Sequence, residues 1–175
     1  MFTGENLRCV RGARVVFEAL SFALPPGAAL VLTGANGSGK SSLLRLMAGL
    51  ARADAGVIAW DGTPIADDPE SHAGRLSYVG HLDAVKPALT VRENLSQWGG
   101  GAVDEAIDRF GLIPVLPARL LSAGQKRRLA LARLIARPAM LWLLDEPTVS
   151  LDRPSVANLL ALIARHRATG GMCVV

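Results

Sequence analysis

The octapeptide GANGSGKS, which runs from Gly34 to Ser41, restricts the possible folds of this chain more than any other stretch. The apolar run ALVLT precedes it and the leucine-rich run SSLLRLMAGL begins at its last residue, so a strand leads through a glycine loop into a helix. In that setting the spacing GxxxxGK[ST] is typical of a loop whose backbone N–H groups bind phosphate at the positive end of a helix. Gly34, Gly37 and Gly39 allow these N–H groups to turn inward. We therefore expect an α/β fold, and a glycine-rich turn that binds nothing is the weaker interpretation.

The side chains at the end of this loop have predicted roles toward a bound nucleotide. Lys40 should reach the β and γ phosphates, Ser41 should ligate Mg²⁺ and Ser42 should contact the α phosphate. The loop predicted to bind the phosphates comprises Gly34, Ala35, Asn36, Gly37, Ser38, Gly39, Lys40, Ser41 and Ser42.

Two adjacent carboxylates follow a second apolar run, MLWLLDE. This run has the uninterrupted apolar character of a buried parallel strand, so Asp145 should lie at its carboxyl end, where ligands bind in open parallel sheets. Asp145 is expected to hold the Mg²⁺ of a bound nucleotide, and Glu146 is expected to polarise an attacking water as general base. The alternative, that the pair only ends a strand in solvent, weakens once the phosphate loop is considered with it.

Composition narrows the function classes further. A chain of 175 residues that is 50% hydrophobic is long enough to form a compact domain. Its net charge of +4 comes from scattered arginines and its aromatic content is only 5%, so we expect no nucleic-acid partner. The basic cluster Lys126, Arg127 and Arg128 is interpreted as a solvated face. Cys9 and Cys173 have no metal or redox spacing and are interpreted as small buried hydrophobic side chains.

The pentapeptide LSAGQ completes a recognisable order of motifs. It follows the phosphate loop and precedes LLDEP and SLD, and in this order the motifs resemble those of the ATP-binding subunits of ABC transporters over nearly the whole chain. The resemblance implies ATP and Mg²⁺ as cofactors and a second, head-to-tail copy of the chain as partner. In such a dimer the pentapeptide would face the γ phosphate held by the other copy, through the free N–H groups at a helix start. Its residues are Leu121, Ser122, Ala123, Gly124 and Gln125.

The same resemblance assigns roles to three more residues. Asp152, in SLD, would couple the two sites of the dimer. His81 stands where the family usually has glutamine, in the loop that senses Mg²⁺ and touches the membrane partner, so His81 is a candidate catalytic and metal-contacting residue, with a purely structural histidine as the alternative. Arg11 lies near the position of the usual adenine-stacking aromatic, and its guanidinium can stack on a ring.

The architecture implied by the resemblance is a P-loop NTPase with a RecA-like parallel sheet core, an N-terminal antiparallel β subdomain and a helical signature subdomain. The expected segments are 1–35 for the β subdomain, 36–85 and 138–175 for the core, and about 86–137 for the helical subdomain. The family's switch histidine follows the strand that GGMCVV begins, and the sequence stops before it. The chain is therefore expected to be truncated at its C-terminus, with slow hydrolysis of its own.

Within the family, the stretches LSAGQKRRLALARL and MLWLLDEPTVSLD together with His81 resemble the ATP-binding subunits of the heme exporter of cytochrome c maturation. This resemblance implies an integral membrane transporter subunit as partner and a peripheral position on the cytoplasmic face of the bacterial inner membrane. Three alternatives stay open: another small ABC transporter ATPase, a soluble ABC ATPase such as one in iron-sulfur cluster assembly, and a nucleotide-binding fragment without turnover.

Overall fold

The structure is a computed structural model that describes residues 1–99 and 101–175. It divides into two compact units. The first unit comprises Met1–Tyr78, Met140–Asp145 and His166–Val175, and the second comprises Val79–Ala139 and Glu146–Arg165.

The first unit contains most of the strands. Its elements in chain order are β1 (Phe2–Arg11), β2 (Arg14–Leu24), β3 (Ala29–Leu30), α1 (Lys40–Met47), β4 (Ala55–Trp60), β5 (Thr63–Pro64), α2 (Pro69–Arg75), most of β6 (Leu76–Val79), β7 (Leu141–Leu144) and β8 (Met172–Val174). An antiparallel sheet has the strand order β2-β1-β4-β5. It includes β4 and β5 in addition to the strands of the first 35 residues. The β1–β2 hairpin turns at Gly12, whose φ of 59° lies in the left-handed region that glycine adopts readily.

A second sheet has the strand order β3-β8-β7-β6. In the parallel pair β3–β8, Ala29 lies opposite Cys173. In the parallel pair β7–β8, Trp142 lies opposite the same cysteine. The strand predicted before the phosphate loop is shorter than the run ALVLT, because β3 ends at Leu30. Just beyond the paired strands β3 and β8, one further backbone hydrogen bond joins the two segments: Leu32 N donates to Val175 O at 2.6 Å.

The core of the first unit joins both sheets to one face of α1. Leu43, Leu44, Leu46 and Met47 are the buried residues of this helix, and their spacing is that of a single helical face. All four residues of β7 are buried, which is the burial expected of a parallel strand covered on both sides. Cys9 and Cys173 are buried free thiols, as expected from their spacing.

The second unit is mainly helical. Its elements include α3 (Val91–Ser96), α4 (Val103–Arg109), a 3-10 turn (Ala118–Leu120), α5 (Ala123–Ala136) and most of α6 (Arg153–Ala168). The first three α-helices pack on one another around buried side chains such as Leu95, Ile107 and Leu131. Two helices begin with reciprocal capping boxes, Thr90 with Glu93 in α3 and Ser122 with Gln125 in α5. Among the described residues, no helix has both the length and the apolar character that crossing a bilayer requires.

Candidate functional site

The backbone of the glycine loop depends on its glycines. The φ angles of Gly34, Gly37 and Gly39 are 146°, 79° and 102°, values that L side chains rarely adopt. Ser38 N donates to Ala35 O at 3.1 Å, which closes a tight turn inside the loop. The loop leads directly into α1, so the partly positive end of the helix lies next to it.

Lys40 is held over this loop by backbone carbonyl groups. Its Nζ donates to Gly34 O at 2.7 Å and to Ala35 O at 3.1 Å. The ammonium group therefore lies against the loop that leads into α1. A phosphate at this position would be bound by a positive charge and by several N–H donors together.

Ser41 and Asp145 come together although they lie far apart in the chain. Ser41 Oγ donates to Asp145 Oδ1 at 3.0 Å, and Asp145 is only 4% exposed at the carboxyl end of β7. Two cis ligands of an octahedral Mg²⁺, each about 2.1 Å from the ion, stand about 3.0 Å apart. The oxygen donors present and their separation therefore fit Mg²⁺. Among the described residues, no group of three or more His, Cys, Asp or Glu side chains could hold a metal ion by itself.

Glu146 and His81 are neighbours in the second unit. The distance from His81 Nδ1 to Glu146 Oε2 is 3.9 Å, and both side chains are open to solvent. Glu146 has a φ of 47°, in the left-handed region that a non-glycine residue occupies at a cost and that is found most often at functional sites. Its place in the sequence, directly after Asp145, means that the predicted general base follows the predicted metal ligand without an intervening residue.

The pentapeptide LSAGQ begins α5 as its sequence predicts. Ser122 Oγ accepts from Gln125 N at 3.2 Å, and Gln125 Oε1 accepts from Ser122 N at 2.8 Å. Leu121 is buried, whereas Ser122 and Ala123 are exposed. Gly124 lies so close to the loop after Glu146 that a Cβ there would stand 2.9 Å from Ser150 O.

Asp152 and Arg11 occupy simple local positions. Asp152 Oδ1 accepts from Ser155 N at 2.9 Å, so Asp152 caps the start of α6, and its hydrogen bonds to Ser155 lower the pKa of its carboxyl group. Arg11 is exposed at the end of β1 and lies opposite Arg14 in the hairpin.

The interpretation of the basic cluster as a solvated face is wrong for Arg127, which is only 4% exposed. Its guanidinium donates to three backbone carbonyls and to Asp83. The burial of Arg127 was not predicted, because the sequence of the helix does not indicate which acceptors in distant loops will contact it. One pattern could have identified it: Arg127 lies four and seven residues before Leu131 and Leu134, and all three side chains are buried.

The family model described as ABC transporter matches residues 17–149 of the chain. The match covers well over half of the sequence and contains the phosphate loop, LSAGQ and both carboxylates. The chain therefore belongs to the ABC transporter family.

Within that family, the chain is similar to curated proteins named cytochrome c biogenesis ATP-binding export protein CcmA. The one from Rhodospirillum rubrum is 60% identical over 183 residues, which cover 100% of this chain and 78% of the relative. The one from Paramagnetospirillum magneticum is 55% identical over 186 residues, which cover 99% of this chain and 86% of the relative.

The fold is that of solved ATP-binding cassettes. A dimeric post-hydrolysis structure of such a cassette, bound to ADP and Pi, matches with a TM-score of 0.87 at 22% identity over 100% of this chain and 87% of that chain. The expected fold class, a P-loop NTPase with an antiparallel β subdomain and a helical signature subdomain, is confirmed.

Proposed function

We propose that this chain binds and hydrolyses ATP as the nucleotide-binding subunit of an export complex. The observation that carries the proposal is the 3.0 Å contact between Ser41 Oγ and Asp145 Oδ1. It brings two hard oxygen donors together at the end of the glycine loop, since Ser41 directly follows Lys40 in the chain. Family membership and the 60% identical relative support the same conclusion.

Binding is assigned to the first unit. The amides of Gly34–Ser42 and Lys40 hold the β and γ phosphates, Ser42 contacts the α phosphate, and the exposed guanidinium of Arg11 stacks on the adenine ring. Ser41 and Asp145 would hold Mg²⁺, which when bound neutralises phosphate charge as the terminal phosphate leaves.

Hydrolysis is assigned to Glu146 with His81 beside it. The carboxylate accepts a proton from a water whose oxygen attacks the γ phosphorus. The bond from that phosphorus to the bridging oxygen breaks, the bridging oxygen keeps the electron pair, and ADP and inorganic phosphate are released. His81, 3.9 Å from Glu146, would contact the same water and is a further candidate to help hold Mg²⁺.

A second copy of the chain completes each site. Ser122 and the amides of Ala123 and Gly124 are at the start of α5, and Ser122 and Ala123 are exposed. Four amides at the start of a helix lack helical partners, and the capping box uses two of them, Ser122 N and Gln125 N. The amides of Ala123 and Gly124 are then assigned to a γ phosphate held by the partner copy. Asp152 lies a few residues after Glu146 and couples the two sites. A solved cassette that shares this fold is dimeric with ADP and Pi bound, which is compatible with a two-copy site.

The export step is assigned from the relatives. Because the 60% identical protein from Rhodospirillum rubrum is named a cytochrome c biogenesis export protein, we propose that this chain drives the delivery or export of heme for cytochrome c assembly. An integral membrane subunit would then be its partner, on the cytoplasmic face of the inner membrane. If the expressed protein stays soluble when its neighbouring genes are co-expressed, the exporter assignment is wrong and a soluble ABC ATPase is the answer.

Glu146→Gln tests the hydrolytic part of the proposal. The variant should bind ATP with unchanged affinity, accumulate as an ATP-bound dimer and hydrolyse ATP about 10²- to 10⁴-fold more slowly. Glu105→Gln, which removes an exposed carboxylate from α4, serves as the matched control and should keep the full rate. Turnover that is the same in Glu146→Gln as in the control would refute the role of Glu146.

Ser122→Arg tests the two-copy site. A long cation at this exposed start of α5 should block the ATP-dependent dimer and leave ATP binding by the single chain intact, measured by analytical ultracentrifugation and by nucleotide titration. Dimerisation that survives this change would refute the composite site.

A further inference from the structure

Arg127 is a buried cation in α5, and its contacts reach beyond the helix that carries it. Its Nη1 donates to Gly80 O at 2.8 Å and lies 3.1 Å from Asp83 Oδ1. Its Nη2 donates to Glu146 O at 2.8 Å, and its Nε donates to Pro147 O at 3.4 Å. One guanidinium group thus connects two loops that come from separate parts of the chain.

Each of these loops carries a residue of the proposed hydrolytic site. His81 lies between the two Arg127 acceptors of the first loop, and Glu146 itself supplies an acceptor in the second. The left-handed φ of Glu146, 47°, is a conformation that persists only where the surroundings hold it. Besides Arg127, the carbonyl of Glu146 accepts from Val149 N at 3.2 Å, so two donors converge on the strained peptide.

The helix that carries Arg127 also begins with the pentapeptide proposed to contact the partner's nucleotide. Arg127 lies five residues after Ser122 in α5, and the first turn of the same helix packs on Ser150 O through Gly124. The start of α5 and the peptide of Glu146 are therefore joined inside one chain by the arginine and by this close packing.

We propose that Arg127 is a positioning residue for ATP hydrolysis, which fixes the peptide of Glu146 and the loop of His81 to the start of α5. The inference rests on the proposed function. When α5 of one chain moves on binding the nucleotide of the partner copy, Arg127 moves Glu146 of the same chain as α5. Nucleotide binding at one site of the dimer then changes the geometry of the general base at the other site.

The chemistry of the contact requires arginine. A guanidinium presents its five N–H donors in a rigid planar fork. Here Nη1 donates to Gly80 O in one loop and Nη2 donates to Glu146 O in the other. A lysine keeps the charge that balances Asp83, but its single ammonium group cannot reproduce the separate contacts that Nη1, Nη2 and Nε make. Substitution of Arg127 by lysine therefore separates the effect of its positive charge from the effect of its hydrogen-bond geometry.

Arg127→Lys and Arg127→Gln, made in the full chain, test the proposal, with Lys126→Gln as the control for loss of a positive charge from the same turn of α5. Both arginine variants should bind ATP within about twofold of the unmodified affinity, because the phosphate loop lies in the other unit. Their kcat should fall about 10- to 100-fold, since a misplacement of about 1 Å costs about 10²-fold in rate. The Lys126→Gln variant should keep its kcat.

A combination with Glu146→Gln separates positioning from a general loss of structure. If Arg127 acts through Glu146, adding Arg127→Lys to Glu146→Gln should lower kcat no further than Glu146→Gln alone. Two independent, multiplying losses would overturn the proposal, and so would an unchanged kcat in Arg127→Lys. If Arg127→Gln fails to fold, Arg127→Lys still gives this result.

Hydrogen exchange measures the arginine contact without any turnover. The amide of Val149 should exchange faster in Arg127→Lys than in Lys126→Gln, because its acceptor, Glu146 O, loses the second donor that fixes it. Equal exchange in the two variants would overturn the proposal. Absence of ATP hydrolysis by the unmodified protein would instead refute the proposed function, and the exchange measurement would still decide whether Arg127 holds this peptide.

Discussion

Gly39 is the loop position at which the structure makes the sharpest quantitative prediction. Its φ is 102°, and a Cβ added there would stand 2.5 Å from Val16 Cγ1 and 3.2 Å from Phe17 Cδ1. Gly37 is a matched control, because its φ of 79° is also left-handed but a Cβ there would have no described atom within 4 Å. Gly39→Ala therefore adds a clash to the backbone cost that Gly37→Ala carries alone.

The two costs can be separated in magnitude. A left-handed backbone costs an L residue about 1–2 kcal/mol, and this applies to both variants. The steric clash with Val16 adds about 1–3 kcal/mol, because the β-branched side chain of Val16 has little rotamer freedom with which to yield. The free energy of unfolding should therefore fall by about 1–2 kcal/mol in Gly37→Ala and by about 2–5 kcal/mol in Gly39→Ala.

Urea unfolding of the nucleotide-free protein measures both values. A third variant, Gly39→Ala with Val16→Ala, removes the clashing Cγ1 and should show a favourable coupling of about 0.5–3 kcal/mol in the double-mutant cycle. Equal destabilisation by Gly37→Ala and Gly39→Ala, or a coupling of zero with Val16→Ala, would refute the steric argument.

Close packing at Gly124 and the burial of His72 and Cys173 each have a measurable effect. Gly124→Ala should disturb the 146–150 loop, because its Cβ would stand 2.9 Å from Ser150 O, and ATP turnover should fall while ATP affinity is unchanged. Burial lowers the pKa of His72 below 6.5. The neutral histidine therefore contributes stability that is fully present above pH 6.5 and is lost as the pH falls through the folded-state pKa. In the His72→Gln variant, the unfolding free energy should decline less between pH 7 and 5. Burial raises the pKa of Cys173 to about 12, so a thiol reagent should modify it only at the rate of unfolding, and fast reaction of the native protein would contradict this.

The phosphate loop and its flanking elements could be predicted from sequence because their determinants are local. GxxxxGK[ST] specifies its own backbone through its glycines, and the leucines after it mark the buried face of α1. The strand before Asp145 could also be predicted, since an uninterrupted apolar run of this length is typical of a covered parallel strand.

Two features could not be predicted because distant segments decide them. β3 contains only Ala29 and Leu30, since its length depends on where β8 pairs with it. Arg127 is buried because carbonyl groups from two remote loops and the carboxylate of Asp83 satisfy its donors, and a helical sequence carries no record of those acceptors. A basic residue on a face otherwise occupied by leucines was the only local sign.

The position of β8 has a consequence for synthesis on the ribosome. β3 directly precedes the phosphate loop, yet its partner strand begins only at Met172. During synthesis, the phosphate loop therefore leaves the exit tunnel long before β8, the strand that pairs with β3, has been made. Pairing of β3 with β8 is a non-local step of high contact order. We expect the phosphate loop to gain its final shape among the last events of folding, so a nascent chain arrested before Met172 should not retain ATP.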